Sequence, residues 1–163
     1  MGITAYFIGN EALLQSCAEA FAERGHRVLG FLSPDDAIES RPHAECLFVV
    51  DAAASALTAE HRALADQTIA FHDAPLPRYA GPLPTTRAIA DGADEYGVTW
   101  YAPDAASSRE GAASGRIFAQ RDFPLAEDET FFSLNTKCFE AGIELFRDLI
   151  EQLEARGDAT VPF

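Results

Sequence analysis

Short apolar runs that alternate with turns and helix-patterned stretches constrain this chain more than any other feature. Residues 3–8 end at Gly9-Asn10, residues 27–32 at Ser33-Pro34, residues 46–50 before an alanine-rich segment, and residues 68–71 at His72. Between the first two runs, Leu13, Leu14, Cys17, Ala18 and Phe21 recur at helical spacing, and the pattern over 11–23 stops at Gly25. Continuous apolar strands separated by helices fit a parallel sheet covered on both faces. The expected fold is α/β: a Rossmann-like, open, mainly parallel sheet with helices on both faces. With 163 residues the chain is read as one domain over 1–156, with 157–163 a tail or the start of a linker.

The remaining segments follow the same logic. Residues 35–44 are polar with prolines nearby and read as a loop or short helix. The later part of 52–65 is predicted to be helical, with Thr58 as N-cap and Glu60 or His61 in the first turn. A short helix over 85–91 closes at Gly92, a strand with apolar-polar alternation covers 97–101, an Ala/Ser/Gly-rich loop covers 104–114, and another strand covers 115–121. The longest helical pattern, 130–155, carries the stripe Phe131, Leu134, Cys138, Ile143, Phe146, Leu149, Ile150 and Leu153. A dinucleotide loop at Gly9 is excluded, because no glycine follows until Gly25.

Charge narrows the function classes. The formal net charge of −14 repels phosphate backbones and anionic membranes, so neither nucleic acid nor membrane is an expected partner. The N-terminus lacks the basic flank of a secretory signal, and no apolar run approaches the roughly 20 residues of a membrane span, so a cytoplasmic protein is expected. Cys17, Cys46 and Cys138 are odd in number and share no zinc-ligand spacing with His26, His43, His61 or His72. They are read as core residues, and no metal is expected.

The chemistry-bearing stretch is His72-Asp73-Ala74-Pro75-Leu76-Pro77-Arg78-Tyr79-Ala80-Gly81, placed directly after the run 68–71. It delivers a histidine to the C-terminal end of a strand, the edge at which open α/β sheets bind ligands. Downstream come Gly97-Val98-Thr99-Trp100, Gly115-Arg116-Ile117, Arg121-Asp122-Phe123-Pro124-Leu125, Asp128-Glu129-Thr130 and Leu134-Asn135-Thr136-Lys137-Cys138-Phe139-Glu140. Their joint order and spacing resemble the folate-dependent formyltransferases, the family of methionyl-tRNA and glycinamide ribonucleotide formyltransferases. With Leu13-Leu14-Gln15-Ser16-Cys17-Ala18-Glu19 and Glu23-Arg24-Gly25-His26, the chain looks most like the formyltransferase domains of peptide and polyketide assembly lines. The acidic charge, and the absence of that family's tRNA-facing second domain, argue against free tRNA as substrate.

The resemblance implies a particular reaction. In the family an amine attacks the formyl carbon of 10-formyltetrahydrofolate, an Asn donates to the developing oxyanion, a His assists, and an Asp orients that His. His72 matches the histidine. The Asn position is Ala70, and the turn Gly111-Ala112-Ala113-Ser114-Gly115-Arg116-Ile117 places Ala113 at the Asp position. Loss of one oxyanion donor costs on the order of 10²–10³ in rate, and alanine supplies neither role. Asp73 follows His72 and points to the opposite side of an extended segment. Asp104 and Glu110 are either solvated loop charges or carboxylates folded back towards His72. The segment 51–57, where the family binds its pterin, is alanine-rich, so weak or absent folate binding is expected.

Three readings remain open on the sequence. The first is a formyltransferase-like domain inactive in formyl transfer, with His72 a remnant bonded to backbone and a neighbouring assembly-line domain or carrier protein as partner. The second is an active 10-formyltetrahydrofolate-dependent N-formyltransferase acting on a carrier-bound or small-molecule amine. The third is a different chemistry that uses His72 as a lone acid or base.

Overall fold

The computed structural model describes residues 2–9, 11–50, 56–104 and 113–156. The strands are β1 (Thr4–Ile8), β2 (Arg27–Leu32), β3 (Ala44–Val50), β4 (Ala65–His72), β5 (Glu95–Pro103) and β6 (Gly115–Pro124). The helices are α1 (Ala12–Glu23), α2 (Ala59–Ala63), α3 (Pro84–Ala90) and α4 (Phe131–Arg156). One sheet runs in the order β2-β1-β3-β4-β5-β6. β2, β1, β3 and β4 pair in parallel, while β5 and β6 join antiparallel.

The two faces of the sheet bury two apolar clusters. The larger packs Phe7, Phe48 and Trp100 of the sheet against Phe21 of α1 and Phe146 of α4. Phe146 lies 5.0 Å from the Phe48 ring and 5.2 Å from the Trp100 ring, distances at which aromatic pairs attract beyond their area burial. The smaller cluster holds Tyr6, Ile8, Leu47, Val49, Ala70 and Tyr101 beside Leu57 and Leu64, which flank α2. Cys17, Cys46 and Cys138 are buried free thiols, as the sequence suggested. Burial pushes the Cys46 thiol up to about 12, which makes it a packing residue and a poor nucleophile.

One expectation holds with an added feature, and one needs correction. The strand expected over 97–101 is present, and residues 96–101 are all buried, the polar Thr99 included. β5 lies between β4 and β6 with a core cluster on each face, so Tyr96, Val98 and Trp100 pack on the helix α4 side while Tyr101 packs on the other. The α4 stripe also shifts. Phe131 is 55% exposed and Ile143 only partly buried, whereas Ala141, Gly142 and Leu145 are buried. Phe131 stands in the first turn, before Leu134, the first residue of α4 to be buried. Further along, the helix comes so close to β4 that a Cβ on Gly142 would lie 2.8 Å from the Phe71 ring.

Local chemistry sets the element ends. Thr58 caps α2 as expected: its hydroxyl accepts the His61 N–H (3.3 Å), and His61 Nδ1 accepts the Thr58 N–H (3.1 Å). At the far end of α4, Glu154 pairs with Arg24 and with His26 Nε2 (2.8 Å). The bond from Arg24, and behind it the one from His26, lowers the Glu154 carboxyl to about 2. This pair ties α4 to the turn between α1 and β2.

Candidate functional site

His72 ends β4, and the chain then turns through the segment 73–83, which β5 and β6 hold from below. The Tyr96 hydroxyl donates to the Asp73 carbonyl (2.6 Å), and the Thr99 hydroxyl donates to the Ala74 carbonyl (2.8 Å) while accepting the Leu76 N–H (3.2 Å). Gln120 Nε2 adds bonds to the Leu76 carbonyl (2.7 Å) and to Thr99 Oγ1 (2.9 Å). Thr99 is fully buried, so these bonds satisfy polar groups that water does not reach. Tyr79 and Leu83 both adopt the left-handed region, at φ +57° and +49°. Non-glycine residues in that region carry a local backbone cost and mark a loop that its surroundings hold in place.

The loop closes over the histidine. His72 is 2% exposed, and its Nε2–H donates to the Tyr79 carbonyl (3.1 Å). The next carbonyl, that of Ala80, accepts the N–H of Ala113 (2.8 Å). Ala70, two residues before His72 on an extended strand, faces the same side of the sheet. Ala70 and Ala113 are both buried in the smaller apolar cluster, together with Leu76 and Tyr101. The structure thus brings Ala70, His72 and Ala113 to one end of β4.

Asp104 is exposed and accepts the Ser114 hydroxyl (2.6 Å). Asp73 faces the α4 side: burial first, and then its charge, raise the Cys138 thiol and the Tyr96 phenol well above their usual values. Glu110, Gly111, Ala112 and the segment 51–55 lie outside the described residues. Gly115, in the same turn motif, has φ +144°, and a Cβ there would sit 1.8 Å from the Ala102 carbonyl oxygen, so this position requires glycine.

Thr99 and Gln120, which anchor the loop, are the functional-site residues that sequence reasoning missed. For Thr99 the signal was a lone polar residue inside an apolar run; Gln120, followed by Arg121 and Asp122, carries no such signal. An apolar groove of about 420 Å³ lies between α1 and β2, lined by Gly9, Gln15, Ala18, Val28 and Phe31. It lies beside the edge strand, three strands from β4, and none of the candidate residues reaches it. Among the described residues no group of His, Cys, Asp and Glu is arranged to hold a metal, and no helix is long and apolar enough to cross a membrane.

Comparison with solved structures defines the class. The fold is that of the formyltransferases. Glycinamide ribonucleotide transformylase 1 from Geobacillus kaustophilus matches 94% of this chain and 98% of its own, with TM-score 0.71 at 20% identity. An N-formyltransferase from Helicobacter canadensis, described in complex with folinic acid and dTDP-3-aminofucose, matches 97% of this chain and 66% of its own, with TM-score 0.73 at 17% identity. In sequence, the methionyl-tRNA formyltransferase of Fervidobacterium nodosum is 38% identical over 79 residues, which is 48% of this chain and 24% of that enzyme. The match thus spans about a quarter of that relative's length. No family model matches the chain. The chain thus has the formyltransferase fold and is similar in sequence, over about half its length, to methionyl-tRNA formyltransferases.

Proposed function

We propose that this domain has lost formyl transfer and serves as a structural or interaction module in a biosynthetic assembly-line polypeptide. One observation carries the reading: His72 is buried at 2% exposure and bonded to the Tyr79 carbonyl, with alanine at positions 70 and 113 on its side of the sheet. An oxyanion site needs preorganised donors aimed at the spot where charge develops, and room for the reacting carbonyl. Alanine at positions 70 and 113 offers no such donor. Neither alanine supplies the oxyanion donor or the carboxylate that transfer from 10-formyltetrahydrofolate needs.

The test is formyl transfer from 10-formyltetrahydrofolate to a panel of amines, run with wild type and His72→Ala, alongside calorimetry with a folate analogue. The expected result is a rate equal to the uncatalysed background for both proteins and weak or absent folate binding. Wild-type turnover that disappears in His72→Ala overturns the proposal. That outcome supports the second reading, an active N-formyltransferase on a carrier-bound or small-molecule amine. The likeness to the Helicobacter canadensis enzyme favours that reading over different chemistry at His72.

A further inference from the structure

Helix α4 has 26 residues and α1 has 12, so α1 flanks only part of it. Both ends of the overlap are marked. Leu13 Cδ1 lies 3.3 Å from where a Cβ on Gly142 would stand, and Arg24, at the other end of α1, bonds to Glu151 and Glu154. α1 therefore runs alongside residues 142–154 in the same direction, and the first three turns of α4 project beyond its N-terminus. An apolar seam crosses that boundary. Phe132, Phe139, Ile143, Phe146, Ile150 and Leu153 follow one another at steps of seven, four, three, four and three, the spacing of a single helix face. Phe146, Ile150 and Leu153 are buried in the larger cluster, which Leu13, Cys17 and Phe21 of α1 share, and Ile143 is partly buried against it. Beyond α1 the same seam is open: Phe139 is 36% exposed, and Phe132, at 81%, is the most exposed large apolar side chain among the described residues.

We propose that this open half of the seam docks a basic amphipathic helix of a partner protein, laid along α4 in line with α1. The proposal rests on the reading of the domain as an interaction module and names the chemistry of its partner. Continuity selects the shape of the occupant. One helix already lies along the second half of the seam, and the first half presents the same spacing with nothing upon it. The pairing of α1 with α4 selects the charge. Arg24 of α1 pairs with Glu151, and Glu140 stands eleven residues earlier, three turns back on the same flank, and exposed. An occupant that continues the path of α1 thus meets a carboxylate in the place where Arg24 meets one. A second copy of the chain would bring its own net charge of −14 and its own Glu140 to this face, which opposes self-association.

The test is an NMR titration of the isotope-labelled full chain with a synthetic amphipathic helix of Leu and Lys, and with its Leu and Glu counterpart. Saturable shifts centred on residues 131–143 are expected for the Lys peptide and none for the Glu peptide. Phe132→Asp is expected to weaken binding about tenfold or more. An added carboxylate strengthens any association driven by charge alone, so the direction of this change isolates the apolar anchor. Glu140→Lys is expected to weaken binding by a smaller factor, whereas Phe31→Ser, at the exposed phenylalanine of β2, leaves it unchanged. Spectra outside α4 report that each variant is folded. Absence of saturable binding, shifts centred elsewhere, unchanged affinity in Phe132→Asp, or sedimentation showing that the chain pairs with itself through this face overturns the proposal. Failure here leaves the catalytic silence of the domain intact, whereas turnover by the wild type overturns that silence and leaves the titration result standing.

Discussion

Ala70→Asn asks directly whether the space beside His72 is closed. Ala70 is fully buried in the middle of the sheet, opposite Val49 on β3 and Tyr101 on β5, with Leu76 and Ala113 in the same cluster. An asparagine must place a carboxamide where these side chains already touch. Overpacking of this kind costs about 1–3 kcal/mol. Burying an amide without partners costs about 1–3 kcal/mol more, although one rotation of the side chain relieves part of both. The expected loss is therefore about 2–4 kcal/mol, or roughly 4–15 °C in Tm for a domain of this size. Ala70→Ser adds a single hydroxyl and is expected to lose about 1 kcal/mol, which separates bulk from polarity. Urea unfolding followed by circular dichroism measures both. An Asn variant within about 0.5 kcal/mol of wild type refutes the reasoning, because the site then holds room and partners for the carboxamide. The alanine at position 70 would then be no sign of closure.

Three further outcomes are expected. Thr99→Val removes the hydroxyl that serves Ala74, Leu76 and Gln120, and is expected to cost about 2–3 kcal/mol in urea unfolding. Thr58→Ala removes the cap of α2 and is expected to cost about 1 kcal/mol, with faster amide exchange confined to residues 58–64. Glu154 has a carboxyl depressed in the folded state, so its stabilisation is present above the ordinary value of 4.5 and is lost as pH falls towards about 2. The difference in urea midpoint between wild type and Glu154→Gln is expected to shrink across that window.

Much of this architecture is legible in the residues, for reasons that differ from element to element. β2 is legible because Gly25 and Ser33-Pro34 bracket it, and α2 because Thr58 announces its cap. The relation of Ala70 to His72 follows from the two-residue period of a strand. The burial of His72 does not, since it depends on Tyr79 and Ala80 folding back over the ring, a feature of backbone angles that no residue type at those positions demands. Thr99 misleads for a related reason. A polar residue in an alternating run suggests solvent, yet here its hydroxyl faces a loop that needs bonds. Phe131 misleads in the opposite direction, because helical spacing does not say where along a helix the sheet beneath it begins.

The chain has one tryptophan, and its position makes it an optical gauge of the whole helix-side core. The Trp100 indole donates to the Gly142 carbonyl of α4 (3.1 Å) and lies against Phe71 of β4, Phe48 of β3 and Phe146 of α4. Its emission therefore changes when α4 seats on the sheet. β5 and β6 are adjacent in sequence, whereas the β1–β3 pairing joins residues such as Phe7 and Phe48 across a long intervening stretch. Closing the shorter loop first costs less entropy. A stopped-flow refolding trace of Trp100 fluorescence is thus a clock for the moment at which the antiparallel end of the sheet receives its helix, read without any added label.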